Sequence, residues 1–147
     1  MRLWHWKLIS YLPKQQLLGQ WRECCLIARN IAEKGTPNHI LVNPIMDYPE
    51  KDFLEYSKRV YHEMKRRGYR IKAESFFCHC AHIDSFFVAQ SYFNRRETRD
   101  ELFPGWHTPR YLTQCLANLE EKHDRGGIPD DEWNYLLKSI GRSGKSA

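Results

Sequence analysis

Apolar positions recur at helical spacing in four stretches, separated by proline and glycine. Leu17, Trp21, Cys24, Ala28 and Ile31 follow one another at steps of three and four, which places them on one stripe of a helix. Pro13 suits the first turn of that helix, where its missing N–H costs nothing, and Gly35 suits its end, so the spacing predicts a helix from Pro13 to about Glu33. Gln15, Arg22 and Arg29 are spaced by sevens, as are Gln16, Glu23 and Asn30, and both rows fall on the side turned away from the apolar stripe. A second helix is expected after Asp47 and Pro49, with Asp47 and Glu50 as a capping box, Phe53, Tyr56, Val60 and Met64 as its stripe, and Gly68 as its stop. Thr108-Pro109 opens a third helix with Leu112, Cys115, Leu116 and Leu119 as its buried row, ended by Arg125-Gly126-Gly127. A fourth, from about Pro129 to Ile140, would bury Trp133, Leu136, Leu137 and Ile140.

The segments between are less regular. RLWHWKLI alternates loosely and reads as a short strand or, given its length, an extended N-terminal arm laid across the core. GTPNHILVNPIMDYPE reads as a loop, punctuated by Pro37, Pro44 and Pro49. From Lys72 to Gly105 neither period is clean, and FFCHCAHIDSFFVAQSYF is compatible with a short buried helix flanked by loops. The fold class expected is therefore all-α: one compact domain of three to four main helices over residues 1–140, with an extended arm at the start and a flexible tail, GRSGKSA, over 141–147.

The length, 147 residues, is that of one domain with one core. Twenty-three Lys+Arg against 18 Asp+Glu give a net charge of +5, and a pI near 9.0 permits a nucleic-acid partner without requiring one. Five cysteines, an odd number, and the lack of a basic and then apolar leader around Met1 point to reduced thiols in the cytoplasm. No run approaches the ~18 apolar residues that cross a bilayer. The expectation is a monomeric cytoplasmic protein with no membrane partner.

Candidate chemistry gathers on the polar face of the first helix, where Arg22-Glu23 sits close in sequence to the chain start. Ser10, Leu12, Gln15, Leu17, Arg22 and Glu23 stand as they do in the phage endonuclease V family of pyrimidine-dimer DNA glycosylases, and the N-terminal segment resembles that family. The stretch from His39 through KDFLEYSKRVYHEMKRRGYRI resembles the family's second helix, and WHTPRYLTQCLANLEEK, more weakly, its last. Residues 72–105 have no counterpart there. The resemblance implies a repair enzyme of the nucleoid that acts on damaged double-stranded DNA. Its N-terminal amine would attack C1′ of a deoxyribose, releasing the base through an imine that then permits strand cleavage at an abasic site. An α-amine suits that task because its pKa near 7.7 to 8.0 leaves about a third of it neutral at pH ~7.5, against roughly one in a thousand for a lysine.

On this resemblance the catalytic residues are Met1, Arg2 and Glu23. Glu23 stabilises the charge that develops on the sugar and moves protons. Gln15, Gln16, Arg22 and Arg29 are the DNA-binding residues, and no metal or other cofactor is required. Three positions depart from the family. Residue 2 is arginine where the family has a small residue that lets the initiator methionine be removed, so the amine is expected on Met1, up to ~3.5 Å further out. Gln16 replaces a histidine, and Leu3 a basic residue.

Two other readings stay open. Cys78, His79, Cys80 and His82 lie within five residues and, with His5, His39, His107 and Glu23 brought near, could hold zinc for a metal-dependent hydrolase. Alternatively the chain binds DNA without catalysis, with Arg2 on a phosphate and Glu23 in a helix salt bridge. Of the basic residues on the second helix, Lys58, Arg59, Lys65, Arg66 and Arg67, most are expected to be solvated, with those near its C-terminus favoured by the helix dipole.

Overall fold

The leading helix, α1, spans Lys14–Lys34 in the computed structural model, which describes residues 1–80, 86–94 and 101–144. Pro13 precedes it, and Gly35 ends it with φ +74°, a left-handed turn that brings its N–H onto the Ile31 carbonyl at 2.9 Å. Five more helices follow among the described residues: α2 Glu50–Arg66, α3 Glu74–Cys80, α4 Phe86–Phe93, α5 Pro109–Asp124 and α6 Asp130–Gly144. The described residues contain no strand, and the chain is all-α. α1, α2, α5 and α6 are the long helices, matching the four periodic stretches of the sequence.

The core lies where α1, α2, α3 and α4 meet. Leu17, Trp21, Cys24, Ile27 and Ala28 of α1 are buried against Phe53, Tyr56, Val60 and Met64 of α2. Phe76, at ring-centroid distances of 5.3 Å from Trp21, 5.9 Å from Phe53 and 5.3 Å from Phe93, joins four helices through aromatic contacts. α5 contributes Cys115 and Leu119, and α6 contributes Trp133 and Leu136. Leu112, Leu116 and Ile140 are only partly buried, and Leu137 is exposed.

The N-terminal arm is shorter than its sequence suggests. Only residues 1–5 are extended, and Trp6–Tyr11 coil into a 3-10 helix capped by the His5 side chain, which accepts from the Lys7 N–H. Within that helix the buried residues are the neighbours Leu8 and Ile9, and a strand cannot bury neighbours on one face. The loop before α2 likewise holds a 3-10 helix, Asn43–Asp47. Asp47 is its last residue rather than the cap of α2, whose capping position is Pro49, with no side-chain hydrogen bond. α6 runs to Gly144, past the expected start of the tail.

The basic residues of α2 are more structural than their sequence implied. Lys58 is buried and 2.8 Å from Glu55, itself fully buried, and Arg59 reaches the other Glu55 oxygen at 2.9 Å. Tyr92 of α4 donates to Glu55 at 2.9 Å, so one buried carboxylate joins two helices. Arg67 pairs with Glu63 at 2.6 Å and donates to the Leu12 and Ser10 carbonyls at 2.8 and 3.2 Å, fixing the exit of the first 3-10 helix.

Candidate active site

Gln20 explains how the arm is held. It stands on the apolar side of α1 between Leu17 and Cys24 and is only 1% exposed. Its Oε1 accepts the Trp4 N–H at 2.8 Å, and its Nε2 donates to the Arg2 carbonyl at 2.8 Å and to Glu23 Oε2 at 3.2 Å. The Tyr56 hydroxyl lies 2.6 Å from the Trp4 carbonyl and 2.8 Å from Gln20 Oε1, with one proton to serve both. Burial keeps that phenol protonated, its pKa well above the ordinary value. Tyr111 of α5 donates to the Leu3 carbonyl at 2.7 Å from the other side. Three consecutive residues of the arm are thus bonded to three helices. Gln20→Leu would leave the Trp4 N–H and the Arg2 carbonyl without partners, at ~1–3 kcal/mol for each buried group. The expected loss is ~2–6 kcal/mol, read from denaturant unfolding.

This anchorage delivers the chain start to Glu23. The Arg2 backbone N–H donates to Glu23 Oε2 at 3.0 Å. Because only two bonds separate that amide from Cα of Met1, and a third reaches its nitrogen, covalent geometry keeps the Met1 nitrogen within about 7 Å of the carboxylate oxygen. Met1, Arg2, Trp4, Gln16 and Glu23 form one wall of an open cleft of about 590 Å³, a volume in the range of ligand sites. The other wall comes from Asn118, Glu121, Lys122, Arg125 and Gly127, and Leu41 stands at its edge. Arg125 pairs with Glu121 at 2.8 Å, on the surface.

Of the residues singled out from sequence, Met1, Arg2, Gln16 and Glu23 meet in this cleft. Gln16 Oε1 is buried and has no hydrogen-bond partner among the described residues. Gln15, Arg22 and Arg29 lie on the exposed face of α1 outside the cleft lining, and Arg29 pairs with Glu33 at 3.3 Å. Two contributions were missed. Gln20 could have been found as a polar residue interrupting an apolar stripe. Asn118, Lys122 and Arg125, at steps of four and three, mark a polar face of α5 that its buried row already implied.

Among the described residues the thiol and imidazole side chains do not converge. Cys80 is buried while Cys78, two residues earlier on α3, is exposed, His79 donates to the Ser75 carbonyl at 2.8 Å, and His82 lies outside the described residues. His5 and His107 do meet, with ring centroids 5.2 Å apart, but both Nδ1 atoms accept backbone N–H groups, from Lys7 and Trp6 respectively. His39 also uses Nδ1, for the Leu41 N–H. Among the described residues no three metal-binding side chains share a site.

A family model described as pyrimidine dimer DNA glycosylase matches residues 1–76, just over half of the 147-residue chain. The chain belongs to this family. It is a DNA repair glycosylase, and the matched segment carries the arm, α1 and α2, including the Glu23 wall of the cleft. The α5 wall of the glycosylase lies beyond the match. No curated protein and no solved structure matches the chain. Among its described residues no helix is long and apolar enough to cross a membrane.

His5 of the arm and His107, which meets it, give the glycosylase an acid-labile point. Burial lowers the pKa of His5 from 6.5 to about 4, with the bond to the His107 carbonyl opposing and Lys7 adding to the shift. Burial, and then His5 itself, lowers His107 to about 2. Both are neutral in the folded state, so below pH 6.5 the unfolded chain takes up protons that the folded chain does not. Stability should therefore fall as pH drops from about 6.5 toward 4, by up to ~1.4 kcal/mol per pH unit for each histidine. Urea unfolding at half-unit steps measures this, and a flat profile from pH 7 to 4.5 would contradict it.

Proposed function

We propose that this glycosylase removes the base from pyrimidine dimers in double-stranded DNA and then cleaves the strand, using the Met1 amine as nucleophile and Glu23 as the assisting carboxylate. The observation that carries this reading is the 3.0 Å bond from the Arg2 N–H to Glu23, which seats the start of the chain on the carboxylate. The nitrogen in that bond is an amide whose lone pair is delocalised, so the free amine beside it is the group able to attack. As the amine nitrogen bonds to C1′, the glycosidic C–N bond breaks and the base departs with the bonding pair. Glu23 stabilises the cationic sugar during that step. Loss of a proton from the attached nitrogen frees its lone pair to break the C1′–O4′ bond, O4′ takes up a proton as the sugar ring opens, and the protonated imine that results acidifies C2′. Removal of a C2′ proton expels the 3′ phosphate, and water then releases the enzyme.

Arg2 and Lys122, which both line the cleft, are cations suited to the phosphates that flank the sugar, with Arg22 and Arg29 as outer contacts along α1. Gln16, with a buried oxygen lacking a partner, suits an amide or amino group of a displaced nucleotide. The protein would act as a monomer on DNA in the cytoplasm, at the nucleoid.

The test is borohydride trapping on a duplex with one abasic site, followed by mass mapping of the crosslinked peptide. A reduced adduct on Met1 is expected. An adduct on a lysine, or none from protein that binds the duplex, would refute the amine mechanism.

A further inference from the structure

Beside the cleft, the loop between α1 and α2 holds two aliphatic side chains out in water, Ile40 at 82% exposure and Leu41 at 47%. A single exposed aliphatic residue is ordinary, but this pair stands on a turn that is rigidly made. Val42 and Ile45 anchor it in the core, and the Val42 and Asn43 N–H groups both bond to the His39 carbonyl, at 3.0 and 2.8 Å. The Asn43 side chain accepts the His39 N–H at 3.0 Å, and His39 Nδ1 accepts the Leu41 N–H at 3.2 Å. Asn30 of α1 donates to the Pro37 carbonyl at 2.9 Å, and Asn38 takes a left-handed turn with φ +59°. The apolar tip is thus fixed relative to α1, the helix that carries Glu23.

We propose that Ile40 and Leu41 form an apolar wedge that enters the base stack of duplex DNA next to the nucleotide held in the cleft. Leu41 itself lines that cleft together with Met1, Arg2 and Glu23, so an aliphatic surface and the reacting groups face one ligand. Proteins that kink a duplex to present one nucleotide insert Ile, Leu, Met or Phe between its base steps. The inside of a base stack is an apolar slot, and cations on both walls of the cleft favour a polyanion as the molecule that supplies it. Ile40 would gain in the bound state the burial that it lacks in the free one. This inference rests on the reading of the cleft as the DNA-cleaving site.

The experiment compares wild type, Ile40→Ser and Ile40→Met on a thymine dimer in a duplex with 2-aminopurine beside it, and on the same dimer in a single strand. Wild type should raise the 2-aminopurine fluorescence on binding and cleave both substrates. Ile40→Ser should lose the rise, and its duplex-to-single-strand cleavage ratio should drop about ten-fold or more, as expected when one aliphatic side chain no longer becomes buried. Ile40→Met, which keeps an apolar reach, should restore both. An unchanged ratio in Ile40→Ser, or equal losses on both substrates, would overturn the wedge while leaving the cleft chemistry in place. A change of sedimentation between wild type and Ile40→Ser would make the tip a contact between copies of the chain and likewise overturn it. Wild-type protein that cleaves neither substrate would remove the underlying reading, and the wedge with it.

Discussion

Glu23→Gln is expected to bind damaged DNA as well as wild type or more tightly, and to cleave the glycosidic bond 10² to 10⁴ times more slowly. That range corresponds to roughly 3 to 5 kcal/mol of barrier, typical of a lost acid–base or electrostatic group. The geometry makes the substitution a clean one. Glu23 Oε2 accepts the Arg2 N–H at 3.0 Å, and an amide oxygen in the same place can accept it equally, so the arm keeps its seat. What disappears is the negative charge, which on the proposed mechanism favours the cationic sugar in the transition state and opposes phosphates in the bound state. If Glu23 were only a half-buried helix residue, the change would move stability by about 0.5 kcal/mol and leave turnover untouched. Wild-type turnover in this variant, on a substrate that the native protein cleaves, would sink the assignment. Single-turnover kinetics with a binding isotherm on the same duplex separates the two effects.

Blocking the Met1 amine should have the still larger effect of abolishing strand cleavage and the trapped adduct together, while leaving the fold and DNA binding intact. Acetylation removes the lone pair without adding bulk to the interior, since Met1 is only partly buried and borders the cleft. Lengthening the chain by one residue should be nearly as damaging. The Arg2 N–H is bound to Glu23 and the Arg2 carbonyl to Gln20, so the arm is fixed on both sides of Arg2 and an added residue can only push the amine outward. A displacement of ~1 Å can cost a hundredfold, and one residue of extended chain spans up to ~3.5 Å. Normal cleavage by acetylated protein would show that another group attacks C1′. The losses also differ in kind from those of Glu23→Gln, which should retain a trappable amine on a substrate that already lacks its base.

The chain's periodicity by itself determined the four long helices and most of their buried faces. Residues such as Leu17, Trp21, Cys24 and Ala28 meet the core whatever the rest of the fold does, because 3.6 residues per turn leaves them on one side. The glutamate at position 23, close in sequence to Met1, was likewise legible, since both lie within one helix and the short segment before it.

Tertiary structure decided everything that depends on which surfaces face one another. The 3-10 turn at Trp6–Tyr11 lets the neighbours Leu8 and Ile9 both be buried, a demand visible only once α2 and α6 pack against it. Lys58 and Arg59 read as solvated cations until packing buries Glu55, their counter-charge, against the Tyr92 hydroxyl that donates to it. Gln20 looks like a flaw in an apolar stripe until the arm arrives to use both ends of its amide. The second wall of the cleft comes from α5, about a hundred residues after Glu23, and sequence spacing carries no information on contacts closed over such a distance. Local patterning thus specified which faces are apolar and where one carboxylate stands, and packing alone placed that carboxylate in a cleft by bringing Met1 and a distant helix to it.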